Sequence, residues 1–401
     1  MEPGIACAEI MNLGELKMMI TDDFSNTYLC KLLRLVICQN VSPEPARLTP
    51  EEFDMLLKLA RKHEVQPIAA YGLLLVGGLT EEQEQRCRKL IYSIMAYQRR
   101  MDLELHKTCD LLEAAGMAHI PLKGAVIRSF YPEPWLRTSG DIDILLKDAD
   151  SAAKHLMKCG YQHKMKGLHD ITMISPRGIP FELHFQLIDT DARVNCLLEQ
   201  VWDHARLREG NYRYEMTPEL FYFYHIAHMA KHMLHGGCGI RFFTDIWLLR
   251  HELSLDEDAL NHLLREGGLL TFAKQAESLS RVWFEGRRPT HLELALERYV
   301  LNSGVFGSSS NKVKLARSQS DTTAQYVFLR IFLPYNEMVL HYPILKKYPL
   351  LLPGFWIRRW AGAVLKRGKF RRVMREVYLN RKIDRDAITA TGRLLRALEL
   401  L

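Results

Sequence analysis

Paired cysteines are missing from this chain. Its cysteines, at positions 7, 30, 38, 87, 109, 159, 196 and 238, never form a Cys-x-x-Cys pair, so neither a zinc ribbon nor a disulfide framework is expected. Buried free thiols in a reducing cytoplasm fit that scatter. Long hydrophobic runs are missing as well. The longest, 68–79, contains three glycines and falls short of the roughly 20 apolar residues a bilayer span needs. Residues 1–4 lack the basic-then-apolar order of a signal peptide, which again points to a cytoplasmic protein with no transmembrane segment. No internal repeat is apparent. Charge is nearly balanced: a net +7 over 46.5 kDa suits an anionic partner without requiring one.

What is present is mostly helical periodicity. Residues 12–40, 50–63, 67–75 and 80–115 carry apolar positions every three to four residues, with Thr49, Pro50 and Thr80 as helix-start signals. From Gly116 the period changes. Short strands are expected over 118–122, 141–146, 170–175 and 179–185, the last two joined by Pro176, Arg177 and Gly178 as a hairpin. Helices then return over 195–300. The division predicted is an N-terminal helical region (1–116), a small α/β or α+β core (117–190), a helical bundle (191–301), a Ser-rich flexible linker (302–323) and a basic C-terminal helical segment (324–401).

Chemistry concentrates in the core. Asp141 and Asp143 lie one residue apart in an Ile- and Leu-rich run, so in a strand both carboxylates project from one face. Buried like charges repel unless a cation holds them ionised, and Mg²⁺ is the simplest such cation. Glu182, mid-strand among Ile179, Phe181 and Leu183, has no packing reason to be acidic, and His184 shares its face. Three acids of this kind can hold metals for an in-line phosphoryl displacement. Gly124, ending a strand before a helical turn, suits phosphate approach, and Lys123 and Arg137 flank the site. A purely structural role for the two aspartates would leave Glu182 and the Gly124 turn as coincidences.

These segments, from Leu122-Lys123-Gly124 through Leu136-Arg137-Thr138-Ser139-Gly140-Asp141-Ile142-Asp143 to Phe181-Glu182-Leu183-His184, resemble the uncharacterised nucleotidyltransferase family of the DNA polymerase β-like superfamily. Tyr131-Pro132-Glu133-Pro134, the series His225, His228 and His232, and the pair Arg241 and Asp245 extend the resemblance over roughly residues 55–290. It implies an α+β fold, a small mixed β-sheet nucleotidyltransferase core flanked by N-terminal and C-terminal helical regions. The implied reaction is Mg²⁺-dependent (or Mn²⁺-dependent) transfer of a nucleoside monophosphate from an NTP such as ATP to an acceptor hydroxyl on a small molecule, protein or RNA. Asp141 and Asp143 are then metal ligands, and Glu182 a third ligand or general base. Lys123, Gly124, Arg137, His184, His228 and Asp245 are placed at the nucleotide. One departure is Ala125, where the superfamily usually has Ser or Gly after the glycine; the Gly124-to-Asp141 gap is also longer than usual.

Other features keep alternatives open. His225, His228, His232 and His235 lie near one helix face, which suits a polar cleft wall, packing, or a zinc site lacking further ligands at zinc spacing. The basic stretch 358–382, interleaved with Trp360 and Phe370, suits RNA, an anionic surface, or a solvated helix face. A non-catalytic nucleotide- or partner-binding module on the same fold is the rival reading.

Overall fold

A computed structural model of the chain describes residues 28–39, 45, 47–188, 191–305, 307–318, 328, 332–365 and 384–401. The helical pattern at 12–27, most of the aromatic segment at 326–333 and most of the basic stretch lie outside those residues. Helices α1 (28–38), α2 (Pro50–Lys62), α3 (Gln66–Val76) and α4 (Glu81–Ala114) open the described chain. Thr49 and Thr80 each accept a backbone N–H three residues on, while Glu52 and Gln83 accept in return the N–H of the capping threonine. Those capping boxes satisfy donors that a helix start would otherwise leave bare.

The core follows as β1 (His119–Pro121), α5 (Gly124–Ile127), β2 (Ile142–Leu146), α6 (Ala149–Lys158), β3 (Gln162–Lys166), β4 (Asp170–Ile174) and β5 (Pro180–His184). Beyond it come α7 (Ala192–Glu199), α8 (Val201–His204), β6 (Arg206–Glu209), β7 (Arg213–Glu215), α9 (Pro218–Leu234) and α10 (Ile240–Glu252). Helices α11 (Glu257–Glu266), α12 (Leu270–Glu285), α13 (His291–Ser303) and α14 (Ser309–Ser318) complete this region. The fold is α+β. Its strands form one mixed sheet in the order β3-β4-β5-β2-β1-β7-β6.

The sheet separates two apolar cores. Ile142, Ile144, Leu146, Phe181 and Leu183 pack against Met101, Leu105 and Leu112 of α4 and Ala152 and Leu156 of α6. Alternate residues such as Ile120 and Leu145 belong to the other core, built on α9, α10 and α12. Helix α9 is buried nearly all round, as its Leu220, Phe221, Tyr222, Phe223 and Tyr224 run implies.

Three expectations are corrected. Strands β6 and β7 fall inside the stretch expected to be helical, and β7 joins the sheet beside β1, so the sheet extends past residue 190. Strand β3 is a fully exposed edge that no apolar pattern announces. Within the expected flexible linker, Ser309–Ser318 form α14, which buries Asn311, Val313 and Leu315 and packs against the last helix, Arg385–Ala397. Other features agree with the sequence: the described cysteines are all free, and no helix of the described residues is long and apolar enough to cross a membrane.

Phe181 is fully buried and meets Tyr161 edge-on at 5.7 Å between ring centroids. Phe181→Ala should therefore cost about 3–5 kcal/mol, read from the urea midpoint. A loss below about 1 kcal/mol would show that this face of the sheet is loosely packed.

Candidate functional site

Parallel pairing of β2 with β5 builds the site. Its register sets Asp143 beside Glu182 and Leu145 beside His184. With the isoleucines of β2 committed to the α4–α6 core, Asp143, Glu182 and His184 are left on the face toward α9 and α10. One donor atom from each of the three lies within 4.8 Å of the others. Asp143 and Glu182 open onto a cavity of about 270 Å³, whose lining also includes Lys123, Gly124, Asp141, His228 and Arg241, while His184 is buried behind them. Asp141 precedes β2 and shares the cavity but stands outside the three-residue cluster.

Charge within the cluster is tightly coupled. Asp143 Oδ1 accepts from Lys123 Nζ at 2.8 Å and contacts His184 Nε2 at 2.8 Å, and that imidazole also lies 3.4 Å from Glu182. Burial pushes the Asp143 carboxyl upward, but Lys123 and His184 outweigh it and hold it well below the usual carboxylate range. Burial first, then the charges of Asp143 and Glu182, raise Asp141 to about 6. His184 is lifted above its ordinary value by its bonds to Asp143 and Glu182, against the effect of burial. Lys123 itself sits at φ 46 and ψ −121, a conformation unusual for a residue with a side chain. Strain of this kind tends to collect at functional sites.

The structure brings most of the expected residues together, but not in the expected way. Arg137 and Asp245 are bonded to each other: Arg137 Nε and Nη2 donate to the Asp245 carboxylate at 2.8 and 2.9 Å, and Nη1 donates to the Thr138 carbonyl at 2.6 Å. Tyr131 adds a 2.7 Å bond to Asp245, which is fully buried. Burial would raise that carboxyl, yet the charge and hydrogen bonds of Arg137 hold it below its ordinary value. This clamp fixes the segment leading into β2 against α10. Gly124 packs against the same segment, and a Cβ there would force the Ser139 hydroxyl aside.

Histidines line the cleft as polar but uncharged groups. His228 and His232 meet at 3.3 Å between their Nε2 atoms. Burial, aided by the Lys123 charge, drives His228 well below the imidazole range and His232 to about 4. His225 is lowered by burial, with Asp245 opposing. His235 lies outside the cavity lining, with its Nδ1 at the Lys231 carbonyl, and none of His225, His228, His232 and His235 joins a metal-capable cluster among the described residues.

Sequence reasoning missed Glu64 and Ser139. Glu64 comes from the turn between α2 and α3, pairs with Arg241 and lines the same cavity. Nothing in its sequence neighbourhood signals that. Ser139 stood inside the motif but without a role.

A family model described as an uncharacterised nucleotidyltransferase matches residues 49–285. Neither the curated proteins nor the solved structures contain a match to the chain. The chain belongs to the uncharacterised nucleotidyltransferase family.

Removing one partner of the clamp strands the other. Asp245→Ala leaves Arg137 buried and unpaired, an expected loss of about 3–5 kcal/mol by chemical denaturation. A second expectation concerns His63, fully buried at the end of α2, whose Nδ1 accepts the Ile240 N–H at the start of α10. Burial, then the charge of Lys62, lowers it to about 3. The unfolded chain takes up this proton below about pH 6.5 while the folded chain refuses it, so stability is full above that pH. It should be lost progressively between about pH 6.5 and about pH 3, and His63→Asn should flatten the profile in that window.

Proposed function

We propose that the cleft binds a nucleoside triphosphate with a divalent cation and transfers the nucleoside monophosphate to an acceptor hydroxyl, releasing pyrophosphate. The observation that carries this reading is the register of β2 on β5, which aligns Asp143 with Glu182 inside a cavity also faced by Asp141. The donor set fits a cation. Asp143 and Glu182 offer hard carboxylate oxygens close together, and Asp141, raised by burial first and then by those two acids, faces the same cavity.

Bound there, Mg²⁺ or Mn²⁺ would supply Lewis-acid activation of the acceptor hydroxyl and charge neutralisation on the pyrophosphate. Asp141, Asp143 and Glu182 would hold the cation. Glu182, the most exposed of the cluster at 32 % of its side chain, is the group best able to take the acceptor's proton. His184 orients both strand acids through its ring nitrogen. Lys123 carries positive charge beside the phosphate site, and the neutral His228 offers a hydrogen bond without adding charge. The clamp of Arg137 on Asp245 makes positioning, rather than phosphate contact, its contribution.

One observation favours the rival, a binding module without transfer. The Lys123 ammonium already neutralises Asp143, as a protein that has given up its cation would require. Pyrophosphate release separates the two readings. With α-labelled NTPs and a cell extract as acceptor source, the wild-type chain should label an extract component in a Mg²⁺-dependent way. Asp143→Asn should lower labelling at least about 10²-fold. Nucleotide binding with no pyrophosphate from any of the four NTPs would decide for the module.

A further inference from the structure

Among the described residues three side-chain cations, Lys123, Arg137 and Arg241, line the cleft, and each faces a carboxylate. The pairs differ in how easily they come apart. Arg137 is 5 % exposed and Asp245 is fully buried, and the guanidinium spends all three nitrogens on Asp245 and the Thr138 carbonyl. Breaking that pair would leave a buried charge uncompensated, so Arg137 is not free to meet a ligand. Lys123 lies against Asp143, a residue the nucleotide reading assigns to the cation.

Arg241 is placed differently. It projects from α10 one helical turn before Asp245, so the clamp that fixes Asp245 also fixes the backbone that carries it. Its Nη1 pairs with the Glu64 carboxylate and reaches the Thr138 carbonyl at 3.5 Å. Its Nε is buried with no hydrogen-bond partner among the described residues. The Glu64 side chain is 27 % exposed, and its backbone sits in the left-handed region at φ 55, costly for a residue with a Cβ. Arg241 is only 15 % exposed and its charge cannot be left bare, but the more exposed Glu64 can turn to solvent once another anion takes its place on the guanidinium. What can replace it is an anion with more oxygens. A phosphate chain offers several acceptors to a planar guanidinium fork, including one for the unused Nε.

We propose that Arg241 is the side chain that grips the triphosphate, and that Glu64 occupies it until the nucleotide arrives. The inference rests on the nucleotide reading of the cleft. Glu64 then acts as a competitor: it neutralises Arg241 in the empty site and repels the incoming phosphates. Its removal and the removal of Arg241 must therefore act in opposite directions. A merely structural ion pair predicts that both removals act in the same direction.

Isothermal titration of the full chain with ATP, GTP, CTP, UTP and inorganic triphosphate, each with Mg²⁺, tests this. For the best-bound NTP and for inorganic triphosphate, Arg241→Gln should weaken binding about tenfold or more, and Glu64→Gln should tighten it about threefold or more. Arg241→Lys should fall between Arg241→Gln and the wild type, since a point charge replaces a fork. If the Gln variants at 64 and 241 shift affinity in the same direction, or leave it unchanged while the wild type binds, this inference is overturned and the reading of the cleft stands. If the wild type binds none of the five ligands, the reading of the cleft falls and takes the inference with it. Should Arg241→Gln fail to fold, unchanged or weakened binding by Glu64→Gln alone overturns the proposal.

Discussion

Everything at the site depends on β2 lying parallel to β5 in one register. The pairing of Asp143 with Glu182 puts two carboxylates on a single face, and a slip of one residue would turn them to opposite faces. That register is not held by the acids, whose repulsion opposes it. It is held from behind, by Ile142, Ile144, Phe181 and Leu183 packed into the α4–α6 core. The apolar face thus sustains a polar arrangement that would not assemble alone. Lys123 and His184 then offset the concentrated negative charge.

The same division explains what the sequence reveals. Asp141, Asp143 and Glu182 are legible because acids interrupt apolar strands, and strand periodicity says which face they share. The hairpin of β4 and β5 is legible from Pro176, Arg177 and Gly178. Strands β3, β6 and β7 are not, since the exposed residues of β3 and β6 and the half-buried Arg213, Tyr214 and Glu215 of β7 carry no apolar alternation. Helix α14 is hidden by serines, although Val313 and Leu315 anchor it. Arg137 shows the deeper limit. A cation beside two aspartates suggests a phosphate ligand, and only folding reveals that a carboxylate 108 residues away has claimed it. Glu64 is the converse case, a site residue contributed by a turn with no motif.

The histidines add a constraint on the chemistry. Their spacing on α9 gathers His225, His228 and His232 at the cleft, and burial keeps them neutral. The wall opposite the acids therefore offers hydrogen bonds without adding positive charge, leaving Lys and Arg to set the field that an anionic ligand meets.

One feature of the sheet bears on how this protein can be divided. Strand β1 is covered on one side by β2 and on the other by β7, through a single parallel pairing of His119 with Arg213 reinforced by the His119 N–H to Tyr212 carbonyl bond. A fragment cut after the core acids would keep every carboxylate and still lose that cover. Its bare β1 edge would offer unpaired backbone groups to a neighbouring copy, a template for self-association. The β6–β7 hairpin is in this sense the sheet's guardian, and a fragment that keeps β1 paired on both sides extends at least through β7.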